Sequence, residues 1–197
     1  MKIFYRLLCI SLCIAGIYPD VSAQETFYDN IEPAKIVVNH KTDRLDSKGM
    51  KIPGAVVVFE SDDIGRCLGT VIECRKAFRP TEYRFRISAC KADGAILKLV
   101  LNRINEDGSQ TSIIDAPVLF SLQHISDGNE YYVEASHDLM LTPGQYFIGM
   151  ELMSISGEDP TILFPAYVKK SFSKEPGTDS LAEFPYNIGL SISGKKI

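Results

Sequence analysis

The chain has 197 residues, of which 45% are hydrophobic and 23% charged, and its formal net charge is −4 at pH 7. This composition is typical of a globular protein, and no basic stretch is concentrated enough to follow a phosphate backbone, which argues against nucleic acid as a partner. A chain of this length favours one domain and can bury about 70% of its unfolded surface, so it needs neither a metal nor a disulfide to hold a core.

The first 23 residues have the three parts of a secretory signal peptide. A lysine and an arginine give a positive start, residues 7–18 form an uncharged apolar run, and residues 21–23 are a small-residue cleavage site. The apolar run is shorter than the roughly 20 residues that span a bilayer. We predict cleavage after Ala23 and export to the periplasm, the outer membrane surface or the medium, with no transmembrane segment in the mature chain.

Residues 24–53 are predicted to be an N-terminal arm with the first strand at 34–38, followed by a charged loop at 41–51. Residues 54–197 are predicted to form one β-sandwich domain. Tyr83 and Phe85 alternate with Arg84 and Arg86, and this period of two puts the aromatic rings on a core face and both arginines on the other. Short strands separated by frequent turns, such as Asp107-Gly108, indicate an all-β, antiparallel sandwich. About ten strands are expected, at 34–38, 55–59, 66–74, 83–89, 96–102, 113–121, 130–135, 145–153, 161–168 and 186–192.

The segment at 145–153 is predicted to be a central strand. It carries Tyr146 and Ile148 on one face and Phe147 on the other, so both faces hold a large side chain. We expect it to form a hairpin with residues 130–135, and Gly149 would permit a bulge or a close approach of backbones. Residues 169–179 are predicted to be a loop, and residues 194–197 a loose end.

Three cysteines follow the cleavage site, and an odd number allows at most one intrachain disulfide. Cys67 and Cys74 would lie on opposite faces of one strand, so Cys90 is the better partner for either of them. The alternative is that all three are small buried hydrophobic residues. The sequence leaves both interpretations open.

No catalytic constellation is evident. Neither His40 nor His124 has a second histidine at zinc-binding spacing, and no strained serine elbow occurs. His137 beside Asp138 is the one pair suited to acid–base chemistry, and it has no nucleophile in view. We therefore predict a protein that is not an enzyme, with no catalytic residue, no metal ligand and no cofactor.

Tyr131 and Tyr132 are the candidate ligand-binding residues. Because they are adjacent, one ring must face away from the core if the strand is regular. An outward ring could stack on the apolar face of a sugar, with polar groups fixing its orientation. The absence of tryptophan counts against a strong sugar platform.

Two segments resemble a group of exported proteins from Gram-negative bacteria of the Bacteroidetes type, often labelled carboxypeptidase-regulatory-like or envelope-associated. They are ILKLVLNRINEDG at 96–108 and the region at 132–151 that contains LTPGQYFIGME. The resemblance covers about residues 54–168 and implies a jelly-roll-like β-sandwich and a place in the cell envelope. It transfers no catalytic residue, and this chain lacks a tryptophan that the group often has.

The sequence therefore favours an exported, non-enzymatic β-sandwich that binds an envelope protein or a surface polymer. The first alternative is a carbohydrate-binding module with Tyr131 or Tyr132 as its platform. The second is a small hydrolase that uses His137 and Asp138.

Overall fold

Strands make up nearly all the regular structure of the part of the chain that is described, as the alternating sequence predicts. The computed structural model describes residues 31–37, 42–46, 49–123, 125, 127–136, 138–169, 171–178 and 180–197. One turn of 3-10 helix, Ser61–Asp63, accompanies the strands. The strands are β1 (Lys35–Ile36), β2 (Asp43–Asp46), β3 (Lys51–Glu60), β4 (Cys67–Cys74), β5 (Phe78–Arg86), β6 (Ala89–Cys90), β7 (Gly94–Ile104), β8 (Gln110–Ser112), β9 (Val118–Leu122), β10 (Glu130–Glu134), β11 (Gly144–Ser156), β12 (Thr161–Tyr167), β13 (Ser171–Lys174), β14 (Ala182–Phe184) and β15 (Ser191–Lys196).

The strands form three sheets, in which every pair of named strands is antiparallel. The large sheet has the order β14-β13-β4-β11-β7-β8, and β9 also pairs with β7. A five-stranded sheet has the order β1-β10-β5-β15-β2, and a three-stranded sheet has the order β3-β12-β6. The all-β, antiparallel, sandwich-like fold expected from the sequence is therefore confirmed, with fifteen strands among the described residues instead of about ten.

One hydrophobic core joins the three sheets. It includes Phe59 from β3, Ile148 from β11 and Phe85 from β5, each at most 2% exposed. The Phe85 ring lies against Phe120 of β9 with ring centroids 5.4 Å apart, so the five-stranded sheet and the large sheet meet through aromatic contacts. Burial of apolar area on this scale is the main force that holds such sheets together.

The prediction that residues 145–153 form a central strand is confirmed. β11 pairs with β4 on one side and β7 on the other over most of its length. Ile148 is fully buried in the core, and Phe147 on the opposite face is only 1% exposed. The register is continuous through Gly149, and the irregularity in β11 falls between Leu152 and Ser154 instead.

Phe147 is covered because its ring lies over two glycines on the outer face of the large sheet. Gly149 and Gly69 are cross-strand partners in β11 and β4. A Cβ added at Gly69 would stand 2.5 Å from Phe147 Cζ, and one added at Gly149 would stand 2.9 Å from Phe147 Cε1. Because these two positions lack a Cβ, the Phe147 ring can lie directly on the backbone of β4 and β11. This is a close approach of the kind that the sequence predicted at Gly149.

Five short strands lie outside the segments predicted as strands or fall at their ends, and one of them is β8 (Gln110–Ser112). β2 lies in the predicted loop at 41–51, β13 in the predicted loop at 169–179, and β6 and β14 have two and three residues. The loop predictions are wrong at β2 and β13 because each strand is formed by pairing with a distant one, β15 and β4 respectively. Residues 194–196, predicted to be loose, lie in β15 for the same reason.

The predicted strand at 113–121 is wrong in its first half, because residues 113–117 are not in a strand and β9 begins only at Val118. β8 ends at Ser112 and β9 begins at Val118, and both pair with β7 at different points along it. Pro117 has no backbone N–H to donate to a ladder, which disfavours a continuous strand through this segment. Residues 113–117 therefore form a connecting segment between β8 and β9. This segment lines two of the cavities described below.

The predicted hairpin between 130–135 and 145–153 is also wrong. β10 pairs with β1 and β5 in the five-stranded sheet, whereas β11 lies in the large sheet. The chain therefore passes from one sheet to the other between Ala135 and Pro143. A bridge between Phe78 and Leu141 ties this crossing to β5.

Arg84 lies on the face opposite the core, as predicted, yet it is only 3% exposed. Its Nε donates to Glu82 Oε2 at 2.7 Å, and Glu130 Oε2 lies 4.0 Å from Nη1. Arg44 on β2 reaches over the sheet to the same Glu130, with both of its terminal nitrogens 3.3 Å from the carboxylate oxygens. This layer of ion pairs covers the face, and it also buries Ser191, which faces Arg84 in the register.

The three cysteines after residue 23 are free thiols. Cys74 packs in the core, while Cys67 is buried on the opposite face of β4, against Gly149. Burial, with a smaller contribution from the Glu151 carboxylate, raises the pKa of Cys67 to about 12. Cys90, on β6, is half-buried.

Glu32–Ile197 form one compact unit. β1 and β2, which belong to the predicted N-terminal arm, are part of it because they pair with strands of the five-stranded sheet. The predicted signal peptide lies outside the described residues. Among the residues that are described, no helix has the length and apolar character to cross a membrane.

Candidate functional site

The outer face of the large sheet carries a groove of about 740 Å³, here called the sheet groove. Its floor is apolar and comes from four strands: Val71 of β4, Phe147 of β11, Val100 of β7 and Phe172 of β13. These residues lie on one face because they occupy alternate positions along strands paired in register, with Val100 opposite Gly149 and Phe172 opposite Gly69.

Polar groups line one wall of the sheet groove, at the hairpin of β7 and β8. The Asn102 side-chain amide donates from Nδ2 to Gln110 Oε1 at 3.0 Å. This bond orients both amides and leaves the Asn102 oxygen and the Gln110 nitrogen for other partners. The hairpin turn at Asp107-Gly108 has the positive φ that its sequence predicts, 81° at Gly108. The sheet groove thus combines an apolar floor with a wall of oriented amides, which is typical of a ligand-binding site.

A second cavity, of about 300 Å³, adjoins the sheet groove and shares Val100, Asn102 and Lys174 with it. Lys98 and Glu151 face each other across β7 and β11 here, with Nζ 3.0 Å from Oε2. Because this pair neutralises its own charge, the cavity continues the sheet groove without adding a strong charge. Together the two cavities offer a path along the sheet that suits an elongated occupant.

A separate cavity of about 330 Å³ lies where the five-stranded sheet meets the 113–117 segment and the turn after β10, and we call it the inter-sheet cavity. Most of its lining is apolar, with Ile113, Val118 and Leu139 among the residues. Four lining residues carry polar groups: Tyr83, Asp115, Ser136 and Asp138. The volume is at the lower end of the range for small-molecule sites.

Tyr83 is the buried polar residue of the inter-sheet cavity. It is 2% exposed, and burial raises the pKa of its phenol. Asp115, Ser136 and Asp138, by contrast, are exposed at the mouth. The cavity therefore has a polar mouth, an apolar wall and a phenol held against it.

The two predicted ligand-binding tyrosines have different environments. The Tyr131 ring is 2% exposed and stacks on Phe85 in the core, with ring centroids 6.1 Å apart. Tyr132 is half-buried on the outer face, between Lys35 and Arg84 in the register. Of the pair, Tyr132 is therefore the ring that a ligand could reach from solvent.

Of the predicted acid–base pair, the structure describes Asp138 alone. His137, like His40 and His124, lies outside the described residues, while Asp138 lines the inter-sheet cavity. Within the described part of the chain, no group of three or more His, Cys, Asp or Glu side chains could hold a metal ion.

Sequence reasoning missed all three of these cavities. The sequence predicted a strand at 96–102, but it did not show that Val100 would share one face of a sheet with Val71 and Phe172. Tyr83 was assigned to the core, correctly, without a sign that it would also line a cavity. Comparison of the chain with protein-family models, curated proteins and solved structures finds no match.

Proposed function

We propose that this protein is exported and acts without catalysis, binding an envelope protein or a surface polymer in the sheet groove. The observation that carries the proposal is the groove itself, a cavity of about 740 Å³ with an apolar floor and a wall of oriented amides. The adjoining cavity extends it along the sheet, which favours a chain-like ligand over a compact one. The signal-peptide pattern and the resemblance to envelope-associated proteins support the compartment.

The apolar floor would supply most of the affinity, because burying apolar area contributes about 25 cal/mol per Å². The Asn102 and Gln110 amides would set the ligand's orientation, since each offers a donor or an acceptor that water otherwise satisfies. A ligand with alternating apolar and hydrogen-bonding groups, such as an extended peptide or a glycan chain, matches both features.

The test uses residues 24–197, the predicted mature chain, as bait in envelope extract and on a panel of glycans. Val100→Lys places a long charged side chain on the groove floor and should abolish retention of the bound material. Val56→Lys is the matched control, because Val56 is 41% exposed on β3 of the three-stranded sheet, away from the groove. Equal retention by both variants, with each folded by circular dichroism, would refute the assignment of the groove.

Carbohydrate binding at Tyr132 is the second candidate, favoured by the half-exposed ring on the outer face of β10. Tyr132→Ala should then remove glycan retention, while Val100→Lys should leave it unchanged. The reverse pattern would assign any glycan to the sheet groove.

A further inference from the structure

Three large apolar side chains are exposed close together where β3 begins and β12 ends, and we call them the apolar tip. Met50 is 77% exposed, Val168 58% and Tyr186 42%. The Val168 N–H donates to the Met50 carbonyl oxygen at 2.8 Å, so these two residues are neighbours across β12 and β3. Tyr167 and Asn187 form a backbone bridge and are buried, so the side chains that adjoin them in the chain point the opposite way, toward solvent. The tip is therefore contiguous apolar surface, which marks an interaction site.

The aromatic ring of the apolar tip is held in place by its neighbours. The Tyr186 ring meets the Phe184 ring edge to face, with centroids 6.3 Å apart, and the Arg66 guanidinium lies 5.6 Å from the Phe184 centroid. A ring held in this way loses little conformational freedom when it binds. Tyrosine has an apolar body and a polar end, and it is enriched where hydrocarbon meets water at a membrane surface.

Positive charge accompanies the apolar tip. Lys51 follows Met50 and Lys169 follows Val168, and both lysines are exposed. Neither lysine side chain has an ion pair or a hydrogen bond with a described residue. The whole chain has a net charge of −4, so two unpaired positive charges beside the tip run against its overall balance. Exposed apolar side chains flanked by lysines match a surface that is negative outside and apolar beneath, as an anionic bilayer is.

The shape of the apolar tip favours a lipid surface over a protein partner. Met50 lies just before β3 and Val168 in the bend after β12, and no residue of the tip lines a cavity described above. Protein partners usually anchor such residues in well-packed pockets. A bilayer needs no pocket, because projecting side chains enter the boundary between headgroups and acyl chains directly.

We propose that the apolar tip docks this protein on an anionic lipid bilayer. Met50, Val168 and Tyr186 enter the boundary between headgroups and acyl chains, and the two lysines approach the lipid phosphates. No residue of the tip lines the sheet groove. The proposal therefore stands whether or not the groove binds a polymer.

Sedimentation with lipid vesicles tests the proposal, and it uses residues 24–197, the predicted mature chain. Vesicles that mix phosphatidylcholine with phosphatidylglycerol should carry the protein down. Vesicles of phosphatidylcholine alone should carry down much less, since they have no net charge to attract the lysines. Added salt should weaken binding to the anionic vesicles, because it screens that attraction.

Matched variants assign the binding to the apolar tip. Met50→Ser should weaken binding to anionic vesicles by about five- to tenfold, the effect of losing one partly inserted apolar side chain. Met140→Ser is its control, because Met140 is 38% exposed in the chain crossing between β10 and β11. Lys51→Gln should weaken the same binding by about fivefold, the contribution of one lysine near an anionic surface. Lys91→Gln is its control, because Lys91 is exposed at the other end of β12, where its N–H bonds the Thr161 carbonyl oxygen.

A single tryptophan reports how deeply the apolar tip enters the lipid. The chain has no tryptophan, so Tyr186→Trp introduces the only one. Its emission should shift to shorter wavelength with anionic vesicles, and lipids brominated on their acyl chains should quench it. Tyr132→Trp is the control, because Tyr132 lies on the outer face of β10 and should show neither effect.

Three results would overturn the proposal, provided that circular dichroism shows each variant folded. They are the absence of binding to anionic vesicles, equal losses for a tip variant and its control, and unchanged tryptophan emission at position 186 in vesicle-bound protein. A dimer that forms without lipid and that Met50→Ser dissociates would assign the tip to a second copy of the chain. Capture of an acidic protein through the tip, without vesicle binding, would likewise contradict docking on lipid.

Discussion

The glycine pair under Phe147 allows a sharp test of how β4 and β11 pack. We predict that Gly69→Ala destabilises the protein strongly. The added Cβ would stand 2.5 Å from Phe147 Cζ and 2.6 Å from Gly149 Cα, and it would lie closer still to the carbonyl oxygen of Ile148. The last two of these atoms are backbone, so no change of rotamer can relieve the contact, and the two strands would have to separate.

The magnitude follows from these contacts. Overpacking an interior usually costs about 1–3 kcal/mol, and contacts with backbone place Gly69→Ala at about 3 kcal/mol. Gly94→Ala is the matched control, because Gly94 is also in a strand of the large sheet and an added Cβ would meet only Ser156 Oγ, at 3.6 Å. With space available and no positive φ, this change should be neutral or should stabilise by about 0.4–1 kcal/mol, since alanine restricts the unfolded chain.

The assay is urea unfolding at equilibrium, followed by circular dichroism and by the fluorescence of the tyrosines, since the chain has no tryptophan. Equal slopes against urea would show that the midpoint reports stability. A loss below 1 kcal/mol for Gly69→Ala, or the same loss for Gly94→Ala, would show that the strands are not held as closely as the structure gives them.

Three further predictions concern buried residues. Ile148→Ala should cost about 2–5 kcal/mol in the same unfolding assay, because Ile148 is fully buried in the core, and a loss below about 1 kcal/mol would mean that the inward face of β11 is wrong. Arg84→Ala should cost about 3 kcal/mol, because it leaves partly buried carboxylates without their partner. Arg86→Ala, at an exposed position, should change stability by less than about 0.5 kcal/mol. Similar losses for the two variants would contradict the buried ion pair. A thiol reagent at pH 8 should label half-buried Cys90 before Cys67, because the Cys67 pKa of about 12 keeps that thiol protonated at this pH. Mass spectrometry that shows Cys67 labelled first would contradict its burial.

Local patterns in the sequence were enough to identify the long strands. Alternation placed Tyr83 and Phe85 toward the core and Arg84 away from it, because successive side chains of a strand point to opposite faces. The rings on both faces of β11 indicated a central strand, and the Asp-Gly turn indicated the positive φ at Gly108. Each of these inferences depends on residues within a few positions of one another.

The short strands could not be predicted in this way. β2 has the sequence DRLD, whose charges are typical of a loop, and it is a strand because β15 supplies the backbone partners. β10 and β11 are neighbours in sequence and belong to different sheets, since pairing with β5 and β4 outweighs the local hairpin. Which strands pair depends on what the folded chain brings beside each strand, and the local sequence does not record this.

By itself, the sequence determined that the chain is an antiparallel all-β protein and which side chains of its long strands face inward, since both follow from local alternation and turn chemistry. Only the tertiary structure decided the candidate sites. Val71, Val100 and Phe172 share the sheet groove because β13, β4 and β7, which are distant in sequence, join β11 in one sheet in register. Tyr83 and Asp138 both line the inter-sheet cavity because the chain crosses from one sheet to the other after β10. Both sites depend on contacts between distant residues, and such contacts arise only when the sheets assemble.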